Sequence, residues 1–197
     1  MNVFVEVVRN IFRLKVPFES VYTSVFLIKC QNGALLVDSA TTDYDVDTYI
    51  VPAIEDFGIK PNELLGIVIT HYHSDHAGGL SRILEHYPNI SVIKENSGIF
   101  PEIEIYPLYG HTKDFIGVFD RRQGTLISGD GIQGAGIGRY RCLLASKEMY
   151  QKTLQKIEND ESIVNLLFSH EYEPWYKNSM FGREDVLKCI EECRNYF

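Results

Sequence analysis

Residues 70–79 read Thr-His-Tyr-His-Ser-Asp-His-Ala-Gly-Gly, which sets His71, His73, Asp75 and His76 close together, directly after the apolar run Gly66-Ile-Val-Ile-Thr70. Imidazoles and carboxylates are costly to crowd at a strand end unless something pairs with them, and a metal cation accepts both. A strand running to Thr70 sends His71 and His73 to one side, because side chains alternate with period two. The chain then turns into a helix, which swings Asp75 and His76 toward a second point nearby. Two ligand pairs so close together suggest two ions rather than one.

The same kind of residue recurs at other strand ends. His111 lies in Tyr109-Gly110-His111-Thr112, after an expected strand at 103–106, and His170 ends the apolar run Ile163-Val-Asn-Leu-Leu-Phe-Ser169. Asp130 follows Leu126-Ile-Ser-Gly129, and Asp38 follows Ala34-Leu-Leu-Val37. Ligands on loops held by rigid strands are what a metal site on a sheet edge requires. Read singly, Asp130 is also a plausible turn aspartate, His170 a surface histidine and Asp38 a simple cap. His86 fits no such place and reads as a helix-surface residue.

The elements that must carry these residues follow from periodicity. Val3–Val8, Ile11–Val16, Ser24–Cys30 and Ala34–Val37 are β-branched and aromatic, with a hairpin turn at Gln31-Asn32-Gly33. Tyr44 to Phe57 reads as one helix stopped by Gly58, and Leu80 to His86 as a short helix. Further strands are expected at Ser91–Ile93, Ile103–Tyr106, Phe115–Phe119, Thr125–Ser128 and Ile163–Phe168. Helices are expected from Ser146 (as cap) to Glu158 and from Arg183 to Arg194. Strands, then a helix, then the same order again predict a single domain over residues 1–197, with two β-rich halves face to face and helices outside.

Composition narrows the partners. The 197 residues are 45% apolar and 23% charged, ordinary for a globular chain, and the net charge of −8 argues against a nucleic-acid surface. No apolar run reaches membrane-spanning length, and the alternating, Glu6-bearing N-terminal segment does not read as a secretion leader, so a cytoplasmic location is expected. Cys30, Cys142, Cys189 and Cys193 show no zinc-finger spacing and are expected as reduced thiols, with the last two one helical turn apart.

His71-x-His73-x-Asp75-His76, then Gly110-His111-Thr112, Gly129-Asp130 and Ser169-His170, in that order, resembles the metallo-β-lactamase superfamily over residues 24–172. The resemblance implies an α+β fold, a four-layer αββα sandwich. It implies one ion on His71, His73 and His111, a second on Asp75, His76 and His170, and Asp130 bridging them. The ions would be divalent, most readily Zn²⁺, with iron or manganese as alternatives. Asp38 would orient a ligand histidine from beneath. The implied chemistry is attack of a metal-bound hydroxide on the carbonyl of a small thioester, ester or lactone, with Asp75 and Asp130 as catalytic carboxylates that orient the nucleophile.

Within the superfamily, Gly129–Tyr140, Met149–Leu154 and Ser169-His-Glu-Tyr172 are similar to the hydroxyacylglutathione hydrolases, or glyoxalase II. That similarity implies substrate contacts from Arg139 and Tyr172, while Arg141 stands where those enzymes place an aromatic contact. A solvated loop is the competing reading for both arginines. The stretch from His76 to His111 and the tail after His170 are short for that group, so the implied substrate pocket is cut down. The partner expected is a small molecule, not nucleic acid or membrane. The alternatives are an iron-dependent redox enzyme of the same fold, similar to persulfide dioxygenases, or a phosphodiesterase or nuclease.

Overall fold

The computed structural model describes residues 3–133, 146–172 and 176–195. They form two compact units, one ending at Ile103 and the other beginning at Glu104. Each unit carries its own sheet, its own helices and its own apolar cluster.

The first unit builds a six-stranded mixed sheet in chain order: β1 (Val5–Val8), β2 (Ile11–Phe18), β3 (Val21–Lys29), β4 (Ala34–Val37), β5 (Leu64–Val68) and β6 (Ser91–Val92). The first four strands pair antiparallel. The β3–β4 hairpin closes with the Cys30 amide on the Gly33 carbonyl at 2.7 Å, as the turn residues predict. Beyond β4 the pairing becomes parallel, because a helical crossover separates β4 from β5. Strand β4 is buried along its whole length, and Leu14, Val25, Leu27, Leu36 and Ile67 pack with Ile50, Ile54 and Ile83 of the helices.

The helix expected over Tyr44–Phe57 is interrupted. A short turn, α1 (Asp43–Asp45), starts on a capping box in which Thr42 and Asp45 exchange hydrogen bonds. A π turn over Val46–Ile50 follows, then α2 (Val51–Asp56). Pro52 accounts for the wide turn, since its ring excludes the ordinary bond to the carbonyl four residues back. The chain leaves α2 through Gly58 at φ +82, the left-handed stop expected there. Two more helices, α3 (Ser74–Ala77) and α4 (Leu80–His86), lie between β5 and β6.

The second unit builds a five-stranded sheet ordered β11-β10-β9-β8-β7, from β7 (Ile103–Pro107), β8 (Ile116–Asp120), β9 (Thr125–Ile127), β10 (Asn165–Leu167) and β11 (Ser179–Phe181). The β9–β10 pair is parallel, again across a helix, while β8–β9 and β10–β11 are antiparallel. Helices α5 (Lys147–Asn159) and α6 (Arg183–Asn195) bury Tyr150, Leu154 and Ile157 and Val186, Cys189, Ile190 and Cys193 in one cluster with Leu126, Leu166 and Phe168. Ser146 caps α5 as expected, its hydroxyl accepting the Met149 amide at 3.2 Å. At the other end of α5 the Arg183 guanidinium donates to the carbonyl oxygens of Ile157, Glu158 and Ile163, satisfying acceptors a helix end leaves open. Among the described residues no helix is long and apolar enough to cross a membrane.

Helix α4 is tied to the π turn by charge. Asp47 accepts from Arg82 at 2.9 and 3.0 Å and lies 2.7 Å from the His86 ring nitrogen. His86 is thus the helix-surface residue expected, with a partner. The Arg82 and His86 hydrogen bonds hold the Asp47 carboxyl below its ordinary range. A depressed folded-state value contributes stability above the ordinary carboxylate pKa, lost as pH falls through the folded value. Asp47→Asn should therefore lower the thermal midpoint near neutral pH, and the gap to wild type should close below about pH 4 in a pH series of melts.

Candidate functional site

In the first unit the strand leading to the histidine motif is shifted from its expected place. It spans Leu64–Val68 rather than residues 66–70, so His71 and His73 lie beyond the pleat. Period-two alternation therefore does not orient them. The chain leaves the sheet after Val68 because the next acceptors come from side chains: Asp38 Oδ1 takes the Thr70 amide at 2.8 Å and its hydroxyl at 3.0 Å. The loop still brings the rings together, with centroids 4.4 Å apart for His71 and His73 and 4.2 Å for His71 and His76. His73 stands at the start of α3, and Asp75 and His76 lie on that helix, with His76 Nε2 3.4 Å from Asp75 Oδ2.

A turn over residues 38–41 grips His76 from two directions. Asp38 Oδ2 lies 2.8 Å from His76 Nδ1, a bond that makes Nδ1 the donor and leaves Nε2 as the ligating nitrogen. Ser39 donates its amide and its hydroxyl to the His76 carbonyl at 2.8 and 2.9 Å. The turn is strained: Asp38 has φ +65 and Ala40 φ +57, a region non-glycine residues enter at a cost of about 1–3 kcal/mol each. Close approach is what the Gly78-Gly79 pair allows, since a Cβ on Gly78 would run into the Thr41 carbonyl oxygen and one on Gly79 into that of Ser39. Asp38 is 1% exposed, and the histidine it contacts is His76.

The second unit gathers the remaining candidates. His111 sits in the turn after β7, where the Gly110 amide donates to the Thr112 carbonyl at 3.0 Å and the Thr153 hydroxyl of α5 to the Tyr109 carbonyl at 2.7 Å. The strand before Asp130 ends at Ile127 and the one before His170 at Leu167, each slightly short of its expected end. The Ser128 amide still pairs with the Leu167 carbonyl, so the two chain ends leave the sheet together. The Asp130 carboxylate divides its oxygens: Oδ1 is 3.2 Å from His170 Nε2 and Oδ2 is 3.8 Å from His111 Nε2. The three residues are all buried, with Asp130 5% exposed.

The Tyr172 ring tilts against His170 at 5.2 Å between centroids. Arg139 and Arg141 lie outside the described residues. Three contributors carry no signal of their own in the sequence: Thr70, Ser39 and Gln133, whose amide donates to Asp130 at 2.7 Å.

The imidazoles and carboxylates of each unit, with His73 exposed, Asp75 part-exposed and the others buried, fit a divalent cation by donor chemistry: all are nitrogen or oxygen ligands, and the carboxylates offset positive charge. The model of the metallo-β-lactamase superfamily matches residues 20–102. Solved structures cover the rest: a metallo-β-lactamase from Erythrobacter litoralis superposes with a TM-score of 0.72 at 18% identity over 96% of both chains. The chain has the metallo-β-lactamase fold. A metallo-β-lactamase from Hirschia baltica gives the same fold, with a TM-score of 0.70 at 18% identity over 97% of both chains. In sequence, this metallo-β-lactamase-fold chain is similar to curated hydroxyacylglutathione hydrolases. It is 26% identical to that of Legionella pneumophila strain Lens over 153 residues, 64% of this chain and 60% of that enzyme. It is 25% identical to that of Francisella philomiragia over 191 residues, 87% of this chain and 70% of that enzyme. The chain thus spans about 60% of the length of the first of these relatives.

Because Asp38 is the shared acceptor for Thr70 and His76, Asp38→Ala leaves buried donors stranded. It should destabilise the protein by about 3–5 kcal/mol in urea unfolding without added metal. Asp38→Asn, which keeps one acceptor oxygen, should cost less.

Proposed function

We propose that this protein is a dinuclear metal-dependent hydrolase of small thioesters, esters or lactones. His71, His73 and His111 would hold one cation, and Asp75, His76 and His170 the other, with Asp130 shared between them. One observation carries the two-ion reading: the Asp130 carboxylate turns one oxygen toward His111 and the other toward His170. A carboxylate so placed is suited to span two charges, and one serving a single ion has no need of the split.

Two bound divalent cations would supply an activated water at neutral pH and an electrophile for the substrate carbonyl. The chain's own groups would do the rest. Asp75 and Asp130 would orient the attacking water by accepting its hydrogens, and Asp75, the more exposed, is placed to pass a proton to the leaving group. Asp38 would keep the His76 ring turned with Nε2 outward. Tyr172, tilted against His170, and Arg139 and Arg141 are the proposed contacts for the rest of the substrate. The similarity to hydroxyacylglutathione hydrolases supports a thioester as the first substrate class to examine. The acidic balance of the chain supports a small-molecule substrate over nucleic acid.

Elemental analysis of the purified protein should find two divalent ions per chain, with zinc predominant, and a panel of acyl-glutathione thioesters, simple esters and lactones should show metal-dependent hydrolysis. Asp130→Ala should lose bound metal and reduce hydrolysis by more than about 100-fold, since even groups behind the ligands cost 10–100-fold. A single iron with oxygen-dependent activity would replace the hydrolase by the redox alternative, and a fully metallated, active Asp130→Ala protein would remove the bridging role.

A further inference from the structure

We infer that Gln133 is a positioning residue for Asp130, and that its side-chain amide fixes the plane of the carboxylate so that one oxygen is held toward His170 and the other toward His111. This rests on the reading of Asp130 as a ligand shared by two cations. Gln133 is 4% exposed, and its Nε2 donates to Asp130 Oδ1 at 2.7 Å, within the short range of a hydrogen bond to an ionised acceptor. That oxygen is the one 3.2 Å from His170, while Oδ2 is left toward His111.

Both ends of this contact are held. The loop from Ser128 closes on itself, with the Gly131 amide on the Ser128 carbonyl and the Ser128 hydroxyl on the Ile132 carbonyl, each at 3.0 Å. The Gln133 main-chain carbonyl accepts from the buried thiols of Cys189 at 3.8 Å and Cys193 at 3.5 Å. Helix α6 thereby fixes the backbone of Gln133, and Gln133 fixes the carboxylate. The χ2 torsion of an aspartate is broad, so without this donor the plane of the Asp130 carboxylate could swing off the line between the two histidines. The amide removes that freedom.

A second consequence is electronic. The N–H drawn to Oδ1 takes part of its charge, which makes Oδ1 a weaker donor than Oδ2. The two cation positions are therefore inequivalent, and the position on the His170 side depends on Gln133 for its geometry.

The test is a cobalt(II) titration of the metal-stripped full-length protein against a competing chelator, followed by visible absorption, for wild type, Gln133→Met and Gln133→Glu. Methionine keeps length and volume without the donor, and glutamate keeps the shape but cannot donate when ionised. Wild type should take up two equivalents with distinct affinities. Gln133→Met should bind the second about tenfold or more weakly, with an altered spectrum and an unchanged first equivalent. Gln133→Glu should weaken the second equivalent at least as much. If Gln133→Met does not fold, Gln133→Asn, one methylene too short to reach, carries the same expectation. Two wild-type equivalents with an unchanged second affinity and spectrum in the variant overturn the inference alone, as does equal weakening of both. A wild-type protein that binds fewer than two equivalents overturns the two-ion reading and the inference with it.

Discussion

A carboxylate taken out of water must find hydrogen-bond donors or cations for its charge, and Asp38 and Asp130 place that demand on each unit of the chain. In the first unit the demand explains local geometry that is otherwise unfavourable. The chain accepts left-handed backbone at Asp38 and Ala40 because the turn so formed delivers Asp38 to Thr70 and His76, and Ser39 to the His76 carbonyl. The same turn comes so close to the next helix that only Gly78 and Gly79 leave room for it. Strain, glycines and the buried Asp38–His76 hydrogen bond are one arrangement with one purpose, the orientation of His76.

In the second unit the demand at Asp130 is met differently. Two histidines and an amide surround the carboxylate, and the loop that carries it is tied back to β10 through Ser128. Rigid strands stop short of every candidate ligand, and short hydrogen-bonded turns take over. Turns can aim a side chain at a point that no pleat reaches, provided their own backbone groups are satisfied. The fold thus divides labour between sheets that fix position and turns that fix direction.

Much of this was legible in the residues. The order His71, His73, Asp75, His76, His111, Asp130, His170 carries the resemblance to metallo-β-lactamases, because so many metal-capable side chains close after strands have few other uses. Ser146 as a helix cap, Gly58 as a stop and the Gln31–Gly33 hairpin were readable because each depends on its immediate neighbours. What was not readable depends on contacts distant in sequence. The early end of β5 follows from Asp38 taking the Thr70 amide, 32 residues away in the chain. The π turn needs the conflict between Pro52 and the preceding turn to be resolved one way among several. The short strand β11 has no periodicity to declare it and exists through its pairing with β10. Gln133 looked like one more residue of a glycine-rich loop, and its role emerges only with its partner in place.

The proposed hydrolase stands on two cations shared through Asp130. Anomalous diffraction from crystals of the metal-loaded protein, recorded on both sides of the zinc absorption edge, addresses it most directly. Two peaks per chain are expected, one coordinated by His71, His73 and His111, the other by Asp75, His76 and His170, with one oxygen or more of Asp130 reaching each. A single peak, or peaks that Asp130 does not touch, would contradict it.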